Sequence, residues 1–355
     1  MRFATIAEVL ADAGRGRMCI LIDDEDRENE GDLVVAAQFA TPDVINFMAK
    51  HGRGLICLPL EPRQVQRLGL PPMTRRNASR HETAFTVSIE AREGITTGIS
   101  AADRAHTIQT AINPDCTPDA IVSPGHVFPL QAREGGVLVR AGHTEAAVDI
   151  ARLAGCIPAG VICEIMKDNG EMARLPDLAA FAETHRLPIA TIADLIAYRR
   201  QTEKLVTRTH STAFESRYGG TFTLHVYTTT LEYAEHIALV KGDVQAQAAP
   251  LVRMHALDVL SDVLGDRANP RSGDLTHAME TIARAGSGVL VLLRAPRRDA
   301  VSARVAADDD NGRDLREYGI GDLGIQRMRL LTNHPKQVVG LEGYGLEIAG
   351  FAPIA

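Results

Sequence analysis

Between two apolar runs the chain carries Asp23-Asp24-Glu25-Asp26-Arg27-Glu28-Asn29-Glu30-Gly31-Asp32. The run before it, 18–22, and the run after it, 33–37, are typical of short buried strands. Carboxylates this closely spaced repel one another unless divalent cations and a polar ligand neutralise them. The stretch therefore indicates a metal-assisted site, and a solvated acidic turn is the alternative.

Length and composition limit the class of protein. A chain of 355 residues is long for a single hydrophobic core, so two domains are expected. No apolar run reaches the roughly 18 to 20 residues of a membrane span, and the N-terminus, with Glu8 and Asp12, does not resemble a signal peptide. The net charge of −7 argues against binding to nucleic acid. We expect a cytoplasmic protein that binds neither membranes nor nucleic acid.

The cysteines support the same compartment. All five lie in the first half of the chain and none forms a CxxC pair; they are Cys19, Cys57, Cys116, Cys156 and Cys163. This usage predicts reduced and mostly buried thiols.

The order of predicted elements indicates an α/β (α+β) protein in which each domain is a mixed sheet with packed helices. In the first domain, apolar patterns and capping residues predict helices at 6–13, 42–52, 62–68, from 101, 145–154, 176–185 and 192–201. Predicted strands alternate with them at 18–22, 33–37, 54–58, 84–89, 136–139, 161–166 and 188–190. The charged segment 199–204 is the expected boundary between domains at 1–205 and 206–355.

A second candidate site follows the predicted strand 136–139. The segment Arg140-Ala141-Gly142-His143-Thr144 leads into the helix predicted from Glu145. A guanidinium, free N–H groups and a hydroxyl at a helix N-terminus can hold a phosphate monoester. His143 can ligate a metal beside the phosphate. An ordinary structural turn is equally compatible with this pattern.

Two further residues are candidates. His126 lies at the apex of a predicted turn between Pro124 and Pro129, where a structural histidine is the alternative. Glu164 interrupts the apolar strand 161–166, and a buried carboxylate is costly unless it has a partner or a chemical role.

These residues carry a resemblance to 3,4-dihydroxy-2-butanone 4-phosphate synthase of riboflavin biosynthesis, and it covers roughly residues 1 to 205. The matching segments, in the family's order, are 26–32, 51–57, 83–89, 94–104, Pro124-Gly125-His126 and 140–146. The resemblance implies a magnesium-dependent (or manganese-dependent) lyase, usually a homodimer. Its substrate would be D-ribulose 5-phosphate, from which C4 is released as formate and a four-carbon dihydroxybutanone phosphate remains.

The resemblance also implies roles for individual residues. Glu28 and His143 match the metal ligands, whereas His126 and Glu164 match positions needed for turnover. Asp32 and Glu30 are expected to share the proton transfers with them. The substrate-binding set is Arg27, Glu28, Asp32, Arg140, Ala141, Gly142, His143, Thr144 and Glu164.

The second half resembles GTP cyclohydrolase II, most clearly at 316–321, 328–333 and 340–348. That family binds zinc through three cysteines, and this half contains none. The family's arginine-containing loop is replaced by Arg294-Ala295-Pro296-Arg297-Arg298-Asp299. Without thiolates the site lacks the Lewis acid that activates water, so we expect no zinc and no cyclohydrolase activity.

Two alternatives to this interpretation stay open. One is a bifunctional enzyme whose second site uses ligands such as His255 and Asp258. The other is a non-enzymatic binding or regulatory protein built on both folds. The sequence predicts an active synthase fused to a catalytically inactive second domain.

Overall fold

The structure is a computed structural model that describes residues 2–78, 81, 83–203, 205–229, 234–294, 301, 323–333 and 346–354. The chain divides into two compact units, Met1–Arg199 and Arg200–Ala355. Among the described residues, each unit contains a seven-stranded mixed sheet with packed helices. The predicted α/β class and the two mixed sheets are therefore confirmed.

The first unit is built on a sheet with strand order β4-β5-β3-β6-β2-β1-β7. Its strands are β1 (Cys19–Ile22), β2 (Gly31–Ala36), β3 (Cys57–Leu60), β4 (Ile89–Ala91), β5 (Ile121–Gln131), β6 (Gly160–Glu164) and β7 (Ile189–Thr191). Its helices are α1 (Ile6–Ala13), α2 (Pro42–Phe47), α3 (Pro62–Arg67), α4 (Ala101–Ile112), α5 (His143–Leu153) and α6 (Leu175–His185), followed by α7 (Ile192–Thr202), which crosses the boundary between the units.

Local capping chemistry explains where several helices begin. Thr5 and Glu8 form a capping box on α1, because each side chain accepts a hydrogen bond from the backbone N–H of the other residue. Thr41 and Ser100 accept from backbone N–H groups in the first turns of α2 and α4. These bonds satisfy N–H groups that a helix cannot satisfy internally.

The sheet of the first unit is buried on both faces. Ile20, Leu33 and Leu58 belong to the larger hydrophobic cluster on one face. The residues next to them, Leu21, Val34 and Cys57, belong to the cluster on the other face, because side chains alternate along a strand. All five cysteines are free thiols and four are buried, which agrees with the expectation from sequence.

Three predicted elements are wrong. Of the predicted strand 84–89, only Ile89 belongs to a strand, β4, whereas Phe85 and Thr86 form isolated bridges. Residues 136–139 are not a strand: Gly136–Leu138 is a 3-10 helix, since Gly135 and Gly136 adopt φ values of 91° and 62°. Residues 124–129 are not an isolated turn either, because they lie within strand β5, which pairs with both β3 and β4. His126 is therefore a strand residue.

The second unit has strand order β14-β13-β11-β12-β10-β9-β8. The strands are β8 (Val206–Ser216), β9 (Gly220–Thr229), β10 (Glu235–Lys241), β11 (Leu251–Ala256), β12 (Gly288–Leu293), β13 (Arg327–Leu331) and β14 (Glu347–Ala352). Helix α8 spans Asp274–Ala285, where the sequence has a helical pattern of apolar residues. The alternating run 221–227 lies in β9, and the run 286–293 leads into β12. The resemblance segments 316–321 and 340–345 and the segment 295–299 lie outside the described residues.

In the described part of the chain, no helix is both long and apolar enough to cross a membrane.

Candidate functional site

The candidate site begins where two antiparallel strands place carboxylates side by side. Asp32, near the start of β2, pairs in register with Glu164 at the end of β6. Glu164 accepts a hydrogen bond from the backbone N–H of Leu55 at 2.8 Å, so the carboxylate has the partner that its sequence context requires. A Cβ atom on Gly54 would lie 2.5 Å from Oε2 of Glu164, which explains the glycine there.

The acidic loop folds around Asp23. Oδ2 of this buried carboxylate accepts from Nη1 of Arg27 at 2.8 Å and from the backbone N–H of Glu28 at 3.1 Å. Oδ1 accepts from the backbone N–H of Glu30 at 2.9 Å. Asp23 therefore fixes the loop conformation that presents Glu28, a function that the sequence interpretation did not assign to it.

His143 brings helix α5 to this loop. It is the first residue of the helix and is buried, with Nδ1 3.7 Å from Oε2 of Glu28 and 3.8 Å from Oδ1 of Asp32. Its Nε2 lies 3.2 Å from the carbonyl oxygen of Leu21. Because a carbonyl only accepts, Nε2 carries the proton and Nδ1 faces the carboxylates, an arrangement typical of metal-ligating histidines.

The donor set fits a hard divalent cation. One ligand atom from each of Asp23, Glu28 and His143 lies within 4.8 Å of the others. Carboxylate oxygens with an imidazole suit Mg²⁺ or Mn²⁺. Oδ1 of Asp32 is buried and lacks a hydrogen-bond partner, so the site also offers an acceptor that a bound polar ligand can satisfy.

Burial and mutual charge perturb the ionisation of this cluster. Burial raises the pKa of Asp32; His143 opposes this effect, and the neighbouring Glu164 and Glu28 add to it. Burial would lower the pKa of His143, but Asp32 and Glu28 together raise it to about 9. Burial also raises the pKa of Glu28, yet its contacts with His143 and Arg27 bring it down to about 2. In the metal-free protein, protonated His143 therefore balances ionised Glu28.

The Arg140 turn has a guanidinium that is held in place. Nη1 of Arg140 lies 2.6 Å from Oε2 of buried Glu145, and Nη2 donates to the carbonyl of His81 and to Oγ1 of Thr83. A Cβ atom on Gly142 would lie 2.4 Å from Nη1 of Arg140, so a side chain at this position would displace the guanidinium. Helix α5 begins at His143, two residues earlier than predicted, with Gly142 as its N-cap.

Thr144 follows His143 in the first turn of α5 and is buried, whereas Ala141 is exposed. Within the segment 140–144, the side chains of His143 and Thr144 are therefore buried in the protein.

His126 is separated from the acidic cluster within the sheet. Its strand, β5, is followed by β3 and β6 before β2, the strand of Asp32. Nδ1 of His126 contacts Oε1 of Glu90 on β4, and 45% of the histidine side chain is exposed. The contacts of the described residues bring Arg27, Glu28, Glu30, Asp32, His143 and Glu164 together around the acidic loop. Neither Glu90 nor Glu145 was assigned a role from sequence.

In the second unit, the residues considered as substitute zinc ligands are engaged in hydrogen bonds. Nε2 of His255 lies 2.9 Å from Oδ2 of Asp262, and that oxygen also accepts from the backbone N–H of Asp258 at 2.8 Å. The Asp258 carboxylate accepts from the N–H of Leu260. No group of three metal-binding side chains converges among the residues of this unit that the structure describes.

Two known families match the chain, and the boundary between the two matches falls near the boundary between the two structural units. Residues 7–198 match the family 3,4-dihydroxy-2-butanone 4-phosphate synthase, and residues 207–353 match GTP cyclohydrolase II.

Two relatives align with nearly the whole chain. A "3,4-dihydroxy-2-butanone 4-phosphate synthase" of Neisseria meningitidis serogroup B is 51% identical, covering 98% of this chain and 97% of the relative. The "Riboflavin biosynthesis protein RibBA" of Aquifex aeolicus is 48% identical, covering 99% of this chain and 93% of the relative.

Two solved structures are similar as well. RibBX of A. baumannii, described as a two-domain 3,4-dihydroxy-2-butanone 4-phosphate synthase, has a TM-score of 0.76 at 41% identity and covers 98% of this chain and 99% of its own. A 3,4-dihydroxy-2-butanone 4-phosphate synthase in complex with two magnesium ions has a TM-score of 0.54 at 42% identity, covering 56% of this chain and 98% of its own.

Proposed function

Because the chain belongs to the 3,4-dihydroxy-2-butanone 4-phosphate synthase family, we propose that its first unit converts D-ribulose 5-phosphate into 3,4-dihydroxy-2-butanone 4-phosphate and formate in a metal-dependent reaction. The chain is an enzyme of riboflavin biosynthesis. The observation that carries the proposal is the approach of Nδ1 of His143 to both Glu28 and Asp32. These residues come from separate segments and share one buried polar centre.

Glu28 and His143 would hold the divalent cation, Mg²⁺ or Mn²⁺. A bound cation polarises a substrate carbonyl and stabilises negative charge on its oxygen. The fit of the donor atoms supports this assignment, as does the related synthase structure in complex with two magnesium ions. Asp23 supports the ligands through the loop, because its carboxylate accepts hydrogen bonds from Arg27 and from two backbone N–H groups of that loop.

Asp32 is the best-supported base for the first step, removal of the C3 proton next to the substrate ketone. Its carboxylate is buried and one oxygen has no hydrogen-bond partner, so it can reach a ligand without breaking an existing bond. Burial raises the pKa of Asp32, which moves it toward the range in which a carboxylate accepts and returns a proton at neutral pH.

The later steps need proton transfers in several places. They are loss of the C1 hydroxyl as water, migration of the C5 carbon, and uptake of water with release of C4 as formate. Glu164 lies beside Asp32, and burial together with Glu28 raises the pKa of Glu30. These two carboxyl groups and His126 are the proposed donors and acceptors.

Arg27, Asp32 and the turn 140–144 form the proposed substrate-binding surface. Arg140 and the N-terminus of α5 would hold the phosphate, because a fixed guanidinium and free helical N–H groups suit a phosphate monoester. Arg27 is held by Asp23 and Glu28, which keeps its charge beside the acidic loop.

The second unit is proposed to lack GTP cyclohydrolase II activity. The sequence of this unit contains no cysteine, and Nε2 of His255 is already engaged by Asp262. A retained cyclohydrolase activity is the second candidate, favoured by the match of residues 207–353 and by the RibBA relative.

We further propose that the enzyme is a cytoplasmic homodimer.

The direct test is an assay for formate with ribulose 5-phosphate, Mg²⁺ and the purified chain. EDTA is expected to stop formate release, and added Mg²⁺ or Mn²⁺ is expected to restore it. Full activity after complete metal removal would contradict the proposal.

A further inference from the structure

A buried ion pair packs against the segment that precedes Arg140, and it is separate from the acidic cluster. Nη1 of Arg199, on α7, lies 2.7 Å from Oδ2 of Asp149, on α5. Each side chain is only 5% exposed. A guanidinium and a carboxylate buried together form a strong, directional contact, and either group alone would be left uncompensated.

The pair holds the turn that precedes Arg140. Oδ2 of Asp149 accepts from the backbone N–H of Val137 at 2.8 Å, and Nη1 of Arg199 donates to the carbonyl of Gly135 at 2.8 Å. A Cβ atom on Gly136 would collide with the Asp149 carboxylate. The 3-10 helix Gly136–Leu138 is therefore packed directly against this ion pair.

The same turn fixes the backbone of Arg140. The N–H of Arg140 donates to the carbonyl of Gly136 at 3.1 Å. At the other end of the side chain, Glu145 holds the guanidinium at 2.6 Å and also accepts from the backbone N–H of Arg133 at 3.0 Å. Glu145 and Asp149 are four residues apart on α5 and so lie on one face of the helix. Arg140 is thus held at both its backbone and its guanidinium.

We propose that Arg199 is a positioning residue for the phosphate-binding guanidinium of Arg140. It acts through Asp149 and through the 3-10 helix Gly136–Leu138, which precedes Arg140. This inference rests on the role proposed above for Arg140. Arg199 is the last residue of the first unit and lies just beyond the family match, which ends at residue 198. The helix that leads into the second unit therefore contributes a residue that supports the substrate site.

Loosening this support should weaken binding more than it slows the chemistry. The ion pair is bonded to the backbone of Gly135 and Val137, just before Arg140. The loop that presents Glu28 is held separately by Asp23. A displaced Arg140 loses contact with the phosphate, but the acidic cluster keeps its own hydrogen bonds.

The test uses the full chain with Arg199→Met and Arg199→Lys. Measurements are KM for ribulose 5-phosphate, kcat, and the inhibition constant of inorganic phosphate. Arg199→Met is expected to raise KM and the phosphate inhibition constant about tenfold and to leave kcat within about threefold of wild type. Arg199→Lys keeps the charge and a donor, so it should recover most of the lost affinity.

Arg152→Met is the matched control. Arg152 also faces Asp149, at 3.6 Å, but its side chain is 39% exposed and the pair is screened by water. This variant is expected to match wild type in all three constants. Should Arg199→Met fail to fold, Arg199→Gln gives the same comparison with a side chain that still donates hydrogen bonds.

Several outcomes would overturn the inference. They are an unchanged KM and phosphate inhibition constant in a folded Arg199→Met or Arg199→Gln variant, an equal effect of Arg152→Met, or a loss confined to kcat. Arg140→Ala, measured in parallel, separates this failure from failure of the proposed function. If Arg140→Ala weakens phosphate binding and the Arg199 variants do not, only the positioning role is wrong. If Arg140→Ala has no effect, the proposed phosphate site is itself wrong.

Discussion

Nδ1 of His143 lies 3.7 Å from Oε2 of Glu28, although His143 is the first residue of helix α5 and Glu28 belongs to a loop near the N-terminus. Without a metal, the imidazolium and the carboxylate neutralise one another: the pKa of His143 is raised to about 9 and that of Glu28 lowered to about 2. A divalent cation would replace the proton of His143 as the positive charge between these groups.

This replacement predicts a pH-dependent metal affinity. The pKa of His143 is raised, so Nδ1 is protonated below about pH 9 and a cation must displace that proton. Apparent Mg²⁺ affinity should therefore increase about tenfold per pH unit between about pH 7 and about pH 8. Calorimetry in two buffers of different ionisation enthalpy should detect release of about one proton per metal ion bound. Binding without proton release would show that His143 is not a ligand.

Phosphate recognition and chemistry should separate in two variants. Arg140→Ala removes a charge-assisted contact worth roughly 1.5 to 3 kcal/mol, so KM for ribulose 5-phosphate should increase by one to two orders of magnitude. Glu164→Gln should leave substrate binding largely unchanged and stop turnover, because it removes a carboxylate beside Asp32. Arg63→Ala, an exposed position on α3, is the charge-matched control. Equal loss of binding in the Arg140 and Glu164 variants would mean that their roles are misassigned.

The contact between Glu90 and His126 should matter for turnover. Nδ1 of His126 contacts the Glu90 carboxylate, which fixes the orientation of the imidazole ring. Glu90→Gln should lower kcat roughly tenfold or more with little change in KM, and His126→Ala should lower it further. Wild-type kcat in a folded Glu90→Gln variant would limit Glu90 to a structural role.

For the second unit, we expect no stoichiometric zinc and no conversion of GTP. Nε2 of His255 is engaged by Asp262, and two residues on one short segment hold zinc weakly. Elemental analysis and a GTP assay on the purified chain test this directly. One tightly held zinc per chain together with formate release from GTP would establish the bifunctional alternative.

Sequence reasoning succeeded where the controlling interactions are local. Thr5 and Thr41 cap the helices predicted after them, because the N–H group that each hydroxyl bonds lies only three residues away. The acidic loop could be identified for the same reason: its flanking apolar runs are strands β1 and β2 of one antiparallel pair.

It failed where distant segments decide the conformation. The run 136–139 is as apolar as a strand, yet its turn is fixed by Asp149 on α5 and by Arg199 on α7. Likewise, nothing local shows that Glu90 meets His126, because this contact depends on the pairing of β4 with β5. These side chains could not be assigned roles before the sheet order was known.

The most direct test of the central claim follows the carbon that the reaction removes. The purified chain is incubated with Mg²⁺ and ribulose 5-phosphate carrying ¹³C at C4, and the products are observed by NMR, with Glu28→Gln and His143→Ala in parallel. The wild-type chain should transfer the label to formate and leave an unlabelled four-carbon phosphate, whereas both variants should remain folded and release no labelled formate. Label retained in the four-carbon product, or near wild-type formate release from either variant at saturating Mg²⁺, would contradict the proposed reaction or its metal site.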